Sequence, residues 1–444
     1  MKTTDMQWPR VAVVGSGISG LAVAHGLKDH ARVTLLEAGD YFGGHTHTVD
    51  VTLPDAQGQV VRHGVDTGFL VFNPKTYPGL IQLFDELGVA IAPSDMSFSV
   101  QVPRAFGARA LEWNGATLDT VFAQRRNLLR PRFWRMIRDI LRFNALATQL
   151  AESEQDDRLL MPLQDFLHQQ GFGETFRDWY LLPMLGCIWS CPTDQMLQFP
   201  VATMVRFCHN HGLIQVNNRP QWLTVRGGAR HYVEKIVAGL TDARLNSPVT
   251  RIERDPQGVW LYTPHGSERF DEVVLATHSD QTLRLLAQPS DEEQRVLGAI
   301  GYHPNRAVLH TDASVMPEAP KAWAAWNYEC ATQPQSEQRH VCLHYWLNRL
   351  QPLPFAQAVF VSLNPIRPIR PECVMQTFDY EHPVFDLGAI QAQTQMPRIQ
   401  GQSRTWYAGA WMGYGFHEDG LRAGQAVVRD WRARRALAPI QVGA

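Results

Sequence analysis

Three kinds of apolar patterning divide the chain. In RVAVVGSGISGLAVAHGL, residues 10–27, a β-branched run at Val11–Val14 meets a glycine loop and then an apolar stretch carrying Ala24, which predicts strand, tight turn and helix. ARVTLLEA gives a second strand ending in Glu37, and VRHGVDTGFLVFNP a strand ending near Asp66. The second pattern is helical. YPGLIQLFDELGVAI sets Leu80, Leu83, Phe84 and Leu87 on one face and stops at Gly88, and a helical region is expected from about 118 to 212. The third is a series of short strands, with turns at Asp255–Gly258 and Pro264–Gly266, followed by a strand-rich, proline-containing stretch over 290–395. The chain then runs TWYAGAWMGYGFHEDGLRAGQAVVRDW, a short strand at Trp406–Ala408, a glycine-rich loop and a helix expected to open at Asp419–Gly420.

Composition narrows the class. At 444 residues, with 45% hydrophobic and 19% charged residues, two to three folded domains are expected, and a net charge of -2 argues against a nucleic-acid partner. Six cysteines form no C-x-x-C pair, so free thiols and a cytoplasmic setting are expected, with no zinc site. No signal peptide is visible, and no apolar run approaches the roughly 18 residues needed to span a bilayer. RRNLLRPRFWRMIRDILRF, 125–143, interleaves seven arginines with leucine, isoleucine, phenylalanine and tryptophan, and Pro131 is expected to break the helix. Two readings stand open: a face for an anionic membrane, giving a peripheral protein on the inner membrane face, or a solvated arginine face over an ordinary core stripe.

The chemistry concentrates in the glycines. In Gly15-x-Gly17-x-x-Gly20 the first glycine allows the turn, the second admits a pyrophosphate and the third lets helix and strand pack; Ser19 lies in the helix's first turn. Glu37, followed by Ala38, stands where a carboxylate can accept hydrogen bonds from ribose hydroxyls. Gly43-Gly44 adds a second turn of backbone N–H groups and favours FAD over NAD. His45 and His47 invite a metal reading, but no third ligand is spaced to join them, so no metal is expected. His45 is assigned to the phosphate loop and His47 to the strand leaving it.

Strand, G-x-G-x-x-G, acid and paired glycines together resemble the N-terminal pattern of the flavoprotein amine oxidase and phytoene desaturase superfamily, with His45 where an arginine usually stands. The resemblance implies FAD and an α/β fold, a Rossmann-like FAD-binding domain (1–75, 213–290 and 396–444) interleaved with an α+β substrate domain (76–212 and 291–395, helical over 118–212). It implies that Thr67 and Gly68 pass near the isoalloxazine, that Val249 contacts adenine through its backbone, and that WLTVRGGARHYVEKIVAGL and the strand-to-helix step at Ala276 belong to the FAD domain. Gly409 and Ala410 are placed beside the ribityl phosphate, with Gly420 and Leu421 in the helix facing the flavin. GYGFHEDGL, with SLNP and HPVFD, is similar to a narrower bacterial group, the FAD-dependent fatty acyl desaturases of furan fatty acid biosynthesis, which implies a lipid substrate and a lipid methyltransferase partner. On that reading His417, with Glu418, is the candidate base, and Trp411 and Tyr414 form aromatic walls. The alternatives are an amine or porphyrinogen oxidase, or a non-catalytic flavin-binding partner of a methyltransferase. On the blander reading His417 merely bonds the loop and Glu418 and Asp419 cap the helix.

Overall fold

The computed structural model describes residues 8–153, 159, 161–215, 220–331 and 341–437; His340 and Lys2 lie outside them. The architecture is mixed α/β, with a Rossmann-like layer and an α+β layer interleaved along the chain. Five strands, β1 (Arg10–Val14), β2 (Arg32–Leu36), β9 (Asp242–Arg244), β13 (Glu272–Leu275) and β19 (Thr405–Tyr407), form a parallel sheet ordered β19-β13-β1-β2-β9. Helices α1 (Ile18–Leu27) and α7 (His417–Leu437) pack on one face. The antiparallel meander β10 (Arg251–Asp255), β11 (Gly258–Thr263) and β12 (Gly266–Phe270) shares a core with the other. Burial on both faces explains the unbroken apolar run of β1 and the buried Val33, Leu35 and Leu36 of β2.

A second sheet supplies the floor of the remaining layer. Its strands are β6 (Phe98–Phe106), β7 (Arg109–Asn114), β14 (Gly301–His310), β15 (Trp326–Glu329), β16 (Cys342–Trp346), β17 (Phe360–Leu363) and β18 (Val374–Val384), ordered β18-β14-β17-β16-β15-β6-β7. All its pairings are antiparallel except β15 with β6, which unites segments more than 200 residues apart. Two smaller pairs connect the layers: β3 (Thr48–Pro54) with β4 (Val60–Asp66), and β5 (Ile91–Ser94) with β8 (Trp222–Val225).

The helical elements include α2 (Pro78–Leu87), α3 (Pro131–Glu152), α4 (Leu182–Trp189), α5 (Val201–Asn210) and α6 (Arg230–Ala238). Helix α2 buries Leu80, Leu83 and Phe84 and ends at Gly88 with φ 62°. The expectation that Pro131 breaks a helix is corrected. Proline occupies the first position of α3, where its missing N–H has no intrahelical partner to lose. The apolar residues of this stretch also divide: Phe133, Met136 and Phe143 are buried, whereas Leu128, Leu129, Trp134 and Leu141 are exposed.

Candidate active site

The cradle at the end of β1 is built from close approaches. Gly15 takes φ 97°, and a Cβ there would stand 2.8 Å from the Ala276 carbonyl oxygen. A Cβ on Gly20 would stand 1.9 Å from the Gly15 carbonyl oxygen, so Gly20 belongs to the loop–helix packing and not to the cavity wall. Gly17 differs: a Cβ there meets nothing within 4 Å, because it would enter the cavity that Gly17 lines. Gly17 is also the N-cap of α1 without a side-chain cap, which leaves the helix's first N–H groups for an anion.

Glu37 both lines this cavity and ties the cradle. One carboxylate oxygen accepts from Ser16 N at 3.0 Å and Ser16 Oγ at 2.5 Å, and the other accepts from Gly39 N at 2.9 Å. Three of its roughly four acceptor positions are thus engaged within the protein, leaving one for a ribose hydroxyl. Ser16 was not singled out by sequence reasoning. Its hydroxyl also accepts from Gly43 N at 3.1 Å and joins the two glycine loops. The loops touch directly, since a Cβ on Gly44 would lie 3.2 Å from Gly17 Cα.

His45 lines the same cavity half-buried, its ring stacked at 5.1 Å on Tyr380 and edge-on at 5.3 Å to His382, and its Nε2 has no partner. Burial, and then the nearby His278, push its pKa down to about 4, so the ring is neutral as it stands. An orphaned nitrogen beside two glycine loops and a helix N-terminus suits a phosphate oxygen. His47 is held by other bonds, stacking on Tyr41 at 4.1 Å and bonding Tyr380 OH at 3.1 Å through Nδ1. Among the described residues the group with metal-ligand proximity is Glu329, Cys342 and His344, which come from two different strands and were not singled out by sequence reasoning. There Arg367 holds Glu329 at 2.8 Å and Ser362 holds His344, a buried ion-paired network.

A cavity of about 770 Å³ runs from the cradle into the second layer. It is lined by Gly15, Gly17, Ser19, Glu37, Ala38, Gly43, Gly44, His45, Thr67, Gly68, Val249, Ala276, Gly409, Ala410, Trp411, Tyr414 and His417. Its other end is walled by Met96, Phe98, Met184, Ile188, Phe207 and Leu363. Asp66 fixes the turn that carries Thr67 and Gly68: its carboxylate accepts from Ala229 N at 2.9 Å and from Gln351 Nε2 at 2.6 Å. Burial pushes the Asp66 pKa up to about 6 despite these bonds.

Four residues expected at the site face elsewhere. Glu418 is directed at α2, where its two oxygens accept from Gly79 N and Leu80 N, each at 3.0 Å, while Arg422 pairs with it at 3.0 Å. The role of base is corrected to that of a cap for a neighbouring helix. Glu418→Ala strands the half-buried Gly79 N–H and the buried Leu80 N–H and is expected to cost about 1–3 kcal/mol. The thermal midpoint should fall while flavin reduction by substrate keeps its rate; slowed reduction at unchanged stability would contradict the assignment. Gly420 and Gly424 give α7 its contact with α1: added Cβ atoms would meet Ile18 Cγ2 at 2.7 Å and Ser19 O at 2.5 Å. Leu421 is buried in the core, and Gly20 packs as described above. The last helix begins at His417, two residues before the expected start, with Asp419 Oδ2 accepting from Tyr414 N and Phe416 N.

The remaining C-terminal residues reach the cavity. Gly409 is required by Trp411, whose indole would lie 2.1 Å from a Cβ there and whose Nε1 donates to Thr277 O at 3.1 Å. Tyr414 stands beside Phe207, with ring centroids 6.0 Å apart. The His417 ring stacks on Phe69 at 3.7 Å, and its Nε2 bonds Thr46 Oγ1 and Tyr232 OH, each at 2.9 Å. Burial, then the nearby His45, push its pKa down to about 3.

These shifts make stability depend on pH. Burial lowers His45, His211 and His310 to about 4 and His382 and His417 to about 3, against 6.5 in the unfolded chain. Between those values the unfolded chain binds protons that the folded one refuses, so stability falls as pH falls. Asp66 and Asp419, raised from 3.8 to about 6, act the other way and offset two of the five. Each net proton taken up on unfolding weakens the fold by about 1.4 kcal/mol per pH unit. The thermal midpoint of the apoprotein should therefore drop steadily from pH 6 to pH 4. A midpoint rising over that range would contradict the burial of these rings.

Comparison with known proteins adds the family. A model described as flavin containing amine oxidoreductase matches residues 18–358. Among curated proteins no sequence matches the chain. A CLA-producing fatty acid isomerase from P. acnes is similar in structure, with TM-score 0.65 at 17% identity over 97% of this chain and 100% of that one. Cyclohexylamine oxidase from Brevibacterium oxydans IH-35A gives TM-score 0.69 at 16% identity, over 97% and 100%. A protein from Exiguobacterium sp. 255-15 described as a protoporphyrinogen oxidase gives TM-score 0.66 at 18% identity, over 96% and 99%. At such identities the likeness establishes the shared fold.

Proposed function

The chain belongs to the flavin-containing amine oxidoreductase family and is an FAD-dependent oxidoreductase, and on that premise we propose that it desaturates an unsaturated or methylated fatty acyl chain of a membrane lipid. The observation that carries the proposal is the apolar end of the cavity. Beyond the nucleotide cradle its walls are Met96, Phe98, Met184, Ile188, Phe207 and Leu363. Its charged lining residues, histidines aside, are Glu37, Arg284 and Glu381, and no described lysine lines it. Lys321 is spent on Asp119 at 2.8 Å, and Lys235 is exposed on α6. An amine oxidase site built on a lysine-held water therefore has no lysine here, and a porphyrin's carboxylates would find one arginine. An acyl chain needs neither, and methylene groups gain about 0.8 kcal/mol each on leaving water. The isomerase of similar fold acts, by its description, on a fatty acid, so such a substrate is compatible with this architecture.

FAD held in the cradle would supply a hydride acceptor for a substrate carbon. A carbon beside an existing double bond loses hydride most readily, because the developing positive charge is delocalised. The neighbouring carbon must then lose a proton so that the new double bond can form. His417 is placed to take that proton because its ring lines the cavity; burial keeps the ring neutral but also disfavours the imidazolium that would form. With Nε2–H donating to Thr46 or Tyr232, Nδ1 is the basic nitrogen. The test is anaerobic bleaching of the oxidised protein. Phospholipids with unsaturated or methylated chains should bleach it, and cyclohexylamine and putrescine should not; the reverse pattern would transfer the assignment to an amine oxidase.

A further inference from the structure

The outer face of α3 and the turn before it lie apart from the cavity and have no role in it. Helix α3 turns Phe133, Met136 and Phe143 inward, whereas Arg132, Arg135, Arg138 and Arg142 are exposed. Among those arginines stand Trp134 at 47% and Leu141 at 56% exposure, and the preceding turn projects Leu128 at 46% and Leu129 at 88%. The turn is tied to the helix by Trp134, whose Nε1 donates to the Leu128 carbonyl at 2.9 Å. The leucines are therefore held outward by a fixed bond. The two acids of 118–142 are already engaged. Asp119 pairs with Arg125 and Lys321, and Asp139 is buried, accepting from Arg138 at 3.4 Å and Gly173 N at 3.3 Å.

We propose that this face docks on an anionic lipid bilayer, with Leu128, Leu129, Trp134 and Leu141 entering the interface and the arginines meeting the headgroup phosphates. Single exposed leucines are ordinary, but four large apolar side chains among cations on one ridge have the composition of an interfacial element. A second copy of this chain is a poor occupant: a two-fold contact would set arginine against arginine with no unengaged acid between them. Nucleic acid would satisfy the arginines and leave Leu129 against phosphate. The proposal rests on this surface alone and holds whatever substrate the cavity takes.

The test uses the FAD-loaded protein and sedimentation with vesicles of phosphatidylcholine, alone or with one-third phosphatidylglycerol. Binding is expected to the mixed vesicles, to weaken with added salt, and to be absent with phosphatidylcholine alone. Arg135→Glu with Arg138→Glu should reduce vesicle affinity roughly thirtyfold or more, since each arginine near an anionic surface contributes about 1 kcal/mol. Leu128→Ser with Leu129→Ser should weaken binding at unchanged charge. Both variants should keep the flavin spectrum, and Leu128→Ser with Leu129→Ser the thermal midpoint as well; because Arg138 is a partner of buried Asp139, the arginine variant is compared well below its own midpoint, which separates loss of docking from loss of fold. Failure of the wild type to sediment with mixed vesicles at low salt would overturn the proposal, as would binding untouched by both double variants. Dimerisation abolished by Leu128→Ser with Leu129→Ser, or retention on duplex DNA without retention on vesicles, would overturn it in favour of those partners.

Discussion

Gly17→Ala is expected to give a folded protein that cannot hold FAD. The new methyl group meets no protein atom within 4 Å, and Gly17 sits at φ -61° and ψ 173°, backbone that alanine adopts freely. What it would occupy is the space over the start of α1, where the backbone must approach a pyrophosphate closely. Loss of even two charge-assisted bonds to phosphate costs about 3 kcal/mol, roughly a hundredfold in affinity. Gly20→Ala is the contrasting case, because its methyl group would be driven into the Gly15 carbonyl. Thermal melting and flavin absorbance should therefore separate the two: the first variant colourless but as stable as wild-type apoprotein, the second destabilised. A Gly17→Ala protein that retains its flavin would show that the cofactor lies elsewhere.

His417→Gln is expected to slow flavin reduction by about 10²–10⁴-fold, the usual worth of a positioned general base. Glutamine can still bond Thr46 and Tyr232 but offers no basic nitrogen. FAD content should be unchanged, so stopped-flow bleaching reports the proton step and not a loss of cofactor. Because burial holds the His417 pKa near 3, wild-type reduction should not fall as pH drops from 8 to 5 on account of this residue. Unaltered bleaching in the variant, or a wild-type rate that titrates near 6.5, would remove His417 from that role.

What the sequence made legible was local. Gly15, Gly17, Glu37 and Gly43–Gly44 lie within one strand–helix–strand stretch, so their spacing dictates their geometry. The same holds for α2, where periodicity and Gly88 define both the face and the end. Relations across the chain were hidden. Thr46 meets His417 from 371 positions away and Tyr232 meets it from 185, and no local pattern signals either contact. Ser16 was an unmarked position in the glycine motif until Gly43 was seen to donate to it. Adjacent acids misled for the opposite reason. Glu418 and Asp419 look alike in sequence, but helical geometry turns the first toward α2 and the second back onto its own loop. Residues 125–143 supported two readings because an apolar residue in an amphipathic helix can face inward or outward, and the helix does both.

Whether an acyl chain is desaturated is decided by a single anaerobic turnover. Oxidised protein is mixed with phospholipids carrying unsaturated and methylated chains, and flavin absorbance and product mass are followed together. Desaturation predicts loss of flavin absorbance with one equivalent of a product two mass units lighter per flavin reduced. Flavin that stays oxidised with every such lipid yet is bleached by an amine would contradict it.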